Sequence, residues 1–167
     1  MTFPFISRPQ FPEGYLENTT DLLGWDQVLT RLVEAQNYWL CTVRPDGRPH
    51  VIPVWGVWAN DRIYCDGSPQ TRHARNIAIN PKIALHLESG SEVVIIEGTC
   101  REMPNPDPKL SKEIAAAYCK KYAAAGYTPK PDQWTAGGLY EITPSTALAW
   151  TQFNINPTKF NFGPPTG

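Results

Sequence analysis

A series of short apolar runs separated by turn residues limits the folds open to this chain. The first three runs lie at 38–43 (YWLCTV), 50–58 (HVIPVWGVW) and 62–65 (RIYC). Pro-Asp-Gly at 45–47 and Asn-Asp at 60–61 are turn signals between them. Residues 38–65 are therefore predicted to form a three-stranded antiparallel meander. Pro53 marks an edge or a bulge, because proline cannot donate a hydrogen bond to a neighbouring strand.

The rest of the chain continues this pattern and adds helices at the connections. Apolar residues that recur at helical spacing predict helices over 25–36, 71–79 and 110–124. Further strands are predicted over 83–88, 92–100, 139–150 with an interruption at Pro144, and a short last stretch near 157–162. The pattern gives a mainly β fold, a barrel of six or seven antiparallel strands with three connecting helices over its open ends.

Length and proline content divide the chain into two parts. The 167 residues fit one domain. Proline is frequent, with 17 residues, and several of them lie in the first twelve positions. Residues 1–24 are therefore predicted to form an extended proline-rich arm, followed by a single domain over 25–167. The formal net charge of −1 offers no basic field for nucleic acid, so no nucleic-acid partner is expected.

The cysteines, the histidines and the first residues bear on metal binding and on the cellular compartment of the protein. The cysteines and histidines are dispersed without a C-x-x-C pair, at Cys41, Cys65, Cys100 and Cys119 and at His50, His73 and His86. No metal site is predicted from this spacing. The start of the chain lacks the cationic and apolar segments of a signal peptide, and no run is long enough to span a membrane. A reduced cytoplasmic protein without a membrane partner is expected.

One segment, DGSPQTRHARNIAINP at 66–81, concentrates hydrogen-bond donors. Thr71 is placed to cap a helix whose first turn carries Arg72, His73 and Arg75. Cations are unfavourable at a helix N-terminus, whereas anions are favourable there. A local rule that is broken in this way often marks a functional site, so the segment is interpreted as an anion socket. The alternative is a solvated helix face whose arginines pair with surface carboxylates.

The other side chains that could take part in catalysis or binding are less informative when only the sequence is considered. A strand histidine such as His50 is more often hydrogen-bonded structure than catalyst. The tryptophans fit either a barrel core or a subunit interface. No Ser/His/Asp constellation has a readable spacing, and Asp66 and Glu97 form no recognisable acid–base pair. These patterns therefore identify no catalytic residue.

Four landmarks in this order resemble the pyridoxamine-phosphate-oxidase-like split-barrel superfamily of flavin and deazaflavin oxidoreductases. They are T-x-R-P-D-G-R-P at 42–49, P-H-V-x-P-V-W at 49–55, T-R-H-A-R-N-x-A-x-N-P at 71–81, and V-x-x-E-G at 94–98. The resemblance implies a split barrel of Greek-key type that forms a homodimer, with two cofactors bound between the subunits. It also implies hydride transfer between the cofactor and a small conjugated substrate.

The resemblance also implies a set of cofactor-binding residues. The second strand would lie beside the ring, and the start of the second helix would hold the phosphate with Asn76 supporting the turn. Asp66 belongs to the set, and Trp150 and Lys159, from the same or the partner chain, would close the cleft. The strand and phosphate residues are His50, Val51, Ile52, Pro53, Val54 and Trp55, and Thr71, Arg72 and His73.

Three departures from the family pattern refine the expected function. His73 stands where lysine is common, so the charge at the phosphate would depend on pH. The second strand reads I-P-V-W-G-V where true pyridoxamine phosphate oxidases resemble R-x-V-x-x-K, and their C-terminal R-x-H motif is missing. The pattern is closer to FMN-dependent or deazaflavin-dependent reductases. FMN is the expected cofactor, with the deazaflavin coenzyme as the alternative. A non-catalytic flavin- or haem-binding protein and an anion-binding module are the competing functions.

Overall fold

The computed structural model of the chain describes residues 4–16 and 21–163. Within these residues the helices are α1 (Trp25–Glu34), α2 (Arg72–Ile79) and α3 (Pro108–Tyr122). The strands are β1 (Phe5–Ser7), β2 (Tyr38–Val43), β3 (Pro49–Val54), β4 (Gly56–Ala59), β5 (Arg62–Asp66), β6 (Lys82–His86), β7 (Val93–Glu102), β8 (Leu139–Trp150) and β9 (Thr158–Asn161). The predicted helices and strands are all present, with boundaries shifted by a few residues.

All strand pairs are antiparallel and belong to one sheet. Its order is β1-β9-β8-β7-β6-β2-β3, while β4 pairs with β5 and β5 pairs with β8. The hydrogen-bonded path is not closed, since it returns from β3 to β4 only through the covalent chain. This arrangement confirms the mainly β, antiparallel split-barrel prediction. The described residues contain nine strands rather than six or seven, because of β1 and of a break within the predicted strand 50–58.

The break within 50–58 falls at Trp55. Residues before it form β3, which pairs with β2, and residues after it form β4, which pairs with β5. The backbone passes very close to β5 at this point, because a Cβ added to Gly56 would lie 2.9 Å from the carbonyl oxygen of Tyr64. The strand therefore changes partners at the break. Pro53 lies in β3 at the end of the sheet path, as its missing N–H predicts.

The long hairpin of β7 and β8 carries the irregularity expected at Pro144. Glu97 pairs with Thr146 and Gly98 pairs with Pro144, so Ser145 is an extra residue in β8. Gly98 is required there, because a Cβ on it would run into the backbone carbonyl of Thr143. The strand is thus bulged rather than interrupted.

Part of the predicted N-terminal arm is a strand. β1 pairs with β9, with Ile6 opposite Phe160, and so covers the edge of β9. Residues 1–3 and 17–20 of the predicted arm, and 164–167 of the predicted domain, lie outside the described residues. An aromatic cluster joins the arm to the segment after β8, with the rings of Phe11 and Phe153 5.6 Å apart.

The apolar residues form two cores. The larger lies inside the sheet beneath α1 and α2, and α1 contributes Trp25, Val28 and Leu32 from one face. The smaller packs α3 against β4 and β5, with Tyr118 and Tyr122 fully buried. This second core lies directly behind the break at Trp55. None of the helices in the described segments is both long and apolar enough to cross a membrane.

Candidate functional site

A cleft of about 840 Å³ opens where the break, the start of α2 and the loop before β8 meet. This volume is within the range of small-molecule and cofactor sites, about 300–1,000 Å³. Its lining comes from the end of β3, the loop after β5, the first turn of α2 and the loop 127–138. The lining residues are Ile52, Pro53, Val54, Trp55, Asp66, Gly67, Ser68, Pro69, His73, Tyr127, Gln133, Trp134, Ala136, Gly137 and Gly138.

Trp55 supplies a flat aromatic wall to this cleft. Its indole lies parallel to the ring of Tyr122, with centroids 4.7 Å apart and an interplanar angle of 10°. The ring of Tyr127 lies 5.9 Å from it on the cleft side. Trp55 remains 36% exposed, so one face of a large aromatic side chain is available to a ligand. Such a surface suits stacking with a planar conjugated ring.

Asp66 joins the two sides of the cleft at the end of β5. Its Oδ2 accepts hydrogen bonds from the Tyr127 hydroxyl, from Gln133 Nε2 at 3.3 Å and from Trp134 Nε1 at 3.4 Å. Burial raises the pKa of Tyr127 well above its usual value, and the hydrogen bond and charge of Asp66 raise it further. Tyr127 therefore stays protonated at neutral pH, and one carboxylate holds the loop 127–138 over the cleft.

Thr71 caps α2, as predicted. Its Oγ1 accepts from Ala74 N–H at 3.4 Å, donates to the Ser68 carbonyl at 2.9 Å and lies 3.3 Å from His73 Nε2. The first turn of α2 contains no acidic residue. Arg72 is exposed, and within residues 4–16 and 21–163 its guanidinium makes no hydrogen bond or ion pair. The helix start thus presents an uncompensated cation beside the cleft.

Unpartnered buried polar atoms gather under the same helix. The side-chain amide of Asn76 donates to the hydroxyl of Thr42, and His50 lies opposite Thr42 in the β2–β3 ladder. Three side-chain atoms here have no partner among the described residues: His50 Nδ1, His73 Nδ1 and Asn76 Oδ1. Buried polar atoms are rarely left unpaired, so this cluster points to a polar ligand or to bound water.

His73 is the member of this cluster that lines the cleft. It is 6% exposed, and burial lowers its pKa below the ordinary 6.5, with the neighbouring His50 lowering it further. The imidazole is therefore neutral at pH 7. In that state it offers one N–H donor and one acceptor nitrogen rather than a positive charge.

The structure brings only part of the predicted site together. The cleft is lined by Ile52, Pro53, Val54, Trp55, Asp66 and His73. Thr71, Arg72, His50 and Asn76 lie around the start of α2 without lining the cleft, and Val51 faces outwards with 53% exposure. Trp150 and Lys159 lie elsewhere in this chain. The ring of Trp150 packs on Phe153 at 5.3 Å, and Lys159 lines a separate groove beside β1.

The loop that forms the far wall of the cleft was not predicted from the sequence. Tyr127, Gln133 and Trp134 reach Asp66 from this loop. The Gly-Gly pair at 137–138 was its only local signal, since both glycines have positive φ. In the described part of the chain, no group of three His, Cys, Asp or Glu side chains is arranged to hold a metal ion.

A family profile described as pyridoxamine 5'-phosphate oxidase matches residues 25–151. The chain belongs to the pyridoxamine 5'-phosphate oxidase family. The match covers α1, the strands from β2 to β8, and therefore every element that lines the cleft. No curated protein matches the chain in sequence.

Solved structures similar to this member of the pyridoxamine 5'-phosphate oxidase family differ in their described roles. An F420 reductase is 21% identical, with a TM-score of 0.53 over 82% of this chain and 98% of that one. A haem storage protein from Vibrio cholerae is 19% identical, with a TM-score of 0.55 over 71% and 88%. A conserved hypothetical protein from Mycobacterium tuberculosis is 17% identical, with a TM-score of 0.62 over 90% and 95%. These similarities support the split-barrel fold.

Proposed function

We propose that this protein is a flavin- or deazaflavin-dependent oxidoreductase that transfers a hydride between a cofactor in the cleft and a small conjugated substrate. The observation that carries the proposal is the pairing of two features in one cleft. The flat wall of Trp55 lies at one side, and buried His73, whose Nδ1 has no partner among the described residues, lies at the start of α2. A ring and a phosphate joined by a short chain need such a combination.

The ring side of the cleft fits a flavin or a deazaflavin. Trp55 offers a planar surface, and Ile52 and Val54 add apolar contacts. The bound cofactor would supply the hydride chemistry, while the protein orients the ring and excludes water from one of its faces. This division of labour agrees with the lack of a nucleophile–base pair in the lining. Catalysis would depend on position rather than on a reactive side chain.

The start of α2 fits the phosphate. The backbone N–H groups of Arg72 and His73 have no partner within the helix, and the helix dipole favours an anion in front of them. Arg72 would supply the positive charge, and His73 would donate a hydrogen bond. The Thr71 hydroxyl already donates a hydrogen bond to the Ser68 carbonyl, so it would rotate to contact the phosphate. Asn76 would keep the turn in place through Thr42.

The substrate is proposed to differ from pyridoxamine phosphate. Ile52 and Val57 stand at the two basic positions of the R-x-V-x-x-K pattern that true pyridoxamine phosphate oxidases resemble. The remaining wall is aromatic, from Tyr127 and Trp134. A small unsaturated molecule without a phosphate suits this lining better than a doubly charged one.

The functional unit is proposed to be a homodimer with the cofactor at the subunit interface. β3 forms one end of the sheet path, and it leaves apolar side chains exposed on its outer face. Val51 is 53% exposed and Val43, on the adjacent strand, is 39% exposed. Covering these residues with a second copy would remove apolar surface from water. Light scattering of the purified protein would give the mass of a dimer.

Haem binding without catalysis is the second candidate. The observation that favours it is the pair of unpartnered imidazole nitrogens, His50 Nδ1 and His73 Nδ1, because a neutral imidazole can serve as an axial ligand. One similar solved structure is a haem storage protein. Absorbance spectra separate the candidates, because a flavin, a deazaflavin and a haem absorb differently.

Titration of the purified protein with FMN, the deazaflavin coenzyme and haem tests the proposal. We expect FMN or the deazaflavin to bind saturably. We also expect a conjugated acceptor to reoxidise the bound cofactor after it has been reduced. Arg72→Ala should weaken cofactor binding about tenfold, since one phosphate charge loses its partner. Lys82→Ala removes the same charge from an exposed position at the start of β6 and serves as the control. A protein that binds neither cofactor would overturn the proposal.

A further inference from the structure

Side chains of α3 bind the backbone at the break, in addition to the pairing of Gly56 with Cys65 of β5. The hydroxyl of Tyr122 accepts a hydrogen bond from Gly56 N–H at 3.0 Å. The same hydroxyl lies within donating distance of two carbonyl oxygens, 2.9 Å from that of Gly56 and 3.0 Å from that of Gln36. The Tyr118 hydroxyl lies 3.1 Å from the Tyr64 carbonyl oxygen and 3.4 Å from that of Trp55. The N–H and the carbonyl of Gly56 are therefore bonded by side chains of one helix.

Lys121 also donates a hydrogen bond to the carbonyl oxygen of Gly56. Its Nζ donates to the Gly56 oxygen at 3.0 Å and to the Tyr38 hydroxyl at 2.8 Å. The ammonium also lies 4.6 Å from the centre of the Tyr38 ring. A lysine that is held half-buried against two partners costs desolvation, which shows in its pKa, lowered by burial to about 8. Packing of α3 against its core would not by itself require a half-buried lysine at position 121.

Tyr122 also determines where the indole of Trp55 lies. Its ring is parallel to the indole at 4.7 Å, while its hydroxyl holds the backbone of the next residue. One side chain thus fixes both the backbone at Gly56 and the plane of the ring that precedes it. Because Trp55 is the flat wall of the cleft, α3 contributes to the tilt of that wall from outside the cleft, together with Tyr127 on the cleft side.

We propose that Tyr122 and Lys121 are positioning residues for the ligand of the cleft, because they fix the backbone at Gly56 and hold the Trp55 indole at the angle that a planar ring requires. The inference rests on the proposed function, since it names what sets the geometry of the ring-binding wall. Neither residue lines the cleft. Their effect on ligand binding is exerted through Trp55.

The test compares Tyr122→Phe, which keeps the ring and deletes the hydroxyl, with Lys121→Met, which keeps the chain length and deletes the charge. Ile114→Val is the control, because it loosens the same α3 core and makes no hydrogen bond to the break. The full chain is labelled with 5-fluorotryptophan, and the Trp55 signal is assigned by its loss in Trp55→Phe. Its shift and line width, the melting temperature and the Kd for FMN are measured on each variant.

We expect Tyr122→Phe to move and broaden the Trp55 signal and to raise the Kd for FMN about tenfold. Lys121→Met should act in the same direction by about threefold. Ile114→Val should lower the melting temperature with the Trp55 signal and the Kd unchanged. A Trp55 signal and a Kd equal to those of the wild type in both variants would overturn the inference. If Tyr122→Phe does not fold, Lys121→Met decides in the same way.

The two proposals fail separately. If the wild-type protein binds no FMN or deazaflavin, the proposed function fails. The fluorine signal of the unliganded protein still shows whether α3 controls Trp55. If the wild type binds FMN and the variants bind it equally well, the proposed function stands and the positioning role is wrong.

Discussion

The side-chain amide of Asn76 on α2 donates a hydrogen bond to the hydroxyl of Thr42 on β2 at 3.0 Å. Asn76 is fully buried, and Thr42 is nearly so. This bond ties the helix that starts at the proposed phosphate site to the strand beneath it. The position of the first turn of α2 therefore depends on a polar contact inside the core.

Thr42→Val removes the acceptor and leaves the Asn76 amide buried without a partner. An unsatisfied buried donor costs about 1–3 kcal/mol, so the free energy of unfolding should fall by that amount. Thr42→Ser keeps the hydroxyl and should lose much less. Urea unfolding of the two variants measures the difference. Equal stability of the two variants would show that the bond has no role in holding α2.

The stability of the unliganded protein should fall in mild acid because of His73. Burial and the neighbouring His50 keep the pKa of His73 below 6.5 in the folded state, while the unfolded chain has the ordinary value. Below about pH 6.5 the unfolded state therefore binds more protons, and the free energy of unfolding decreases until the folded-state pKa is passed. His73→Asn should make this decrease shallower. Denaturant unfolding at pH 5 to 8 measures it, and identical slopes would contradict the assignment.

FMN binding should take up a proton at the same residue. A phosphate placed beside His73 favours its charged form and would raise its pKa from the lowered value. The affinity for FMN should then increase as the pH falls from 8 to 6. His73→Asn is the matched control, because it keeps the phosphate and its own titration at about pH 6, and it should show a flatter profile. Calorimetric titration in buffers of different ionisation enthalpy counts the protons.

Asp66 should decide whether the loop 127–138 stays over the cleft. Asp66→Ala removes the acceptor of three side chains and should cost about 2–3 kcal/mol of stability. Asp66→Asn keeps one acceptor oxygen and should cost about half as much. Limited proteolysis should cut the alanine variant within the loop first. A cleavage pattern unchanged from the wild type would show that the loop is held by its other contacts.

Gly98→Ala should destabilise the β7–β8 hairpin. The added methyl group would meet the Thr143 carbonyl and lie 3.1 Å from the Pro144 Cα, so the bulge must shift. Overpacking of this kind costs about 1–3 kcal/mol. Gly90→Ala is the control, because nothing lies within 4 Å of its added Cβ and the change should be nearly neutral. Thermal unfolding of the two variants gives the comparison.

Local signals in the sequence were enough for the elements whose ends are set by neighbouring residues. Thr71 caps α2 as expected, because the cap needs only the residues that follow it. The N-cap of α3 was missed: Asp107 accepts from Lys109 and Leu110, and Pro108 occupies the first turn of a helix that was predicted to begin at 110.

The break at Trp55 had no local signal, and the far wall of the cleft had only the Gly-Gly pair at 137–138. The break depends on Tyr122, which is 66 residues from Gly56 in sequence. The wall depends on bonds between Asp66 and residues 61 to 68 positions away. A polar contact at this separation is invisible to periodicity and turn chemistry, so the sequence could place β3 and the start of α2 but not the surface between them.

The pairing of β1 with β9 has a consequence for the order of folding. Phe5 lies opposite Asn161, so the first described strand of the chain bonds to the last one. During synthesis the N-terminal strand emerges first and has no partner until the C-terminal strand has left the ribosome. The edge of the sheet is therefore completed only after β9 has emerged, and a nascent or truncated chain that lacks β9 would carry an open edge to which other chains can add.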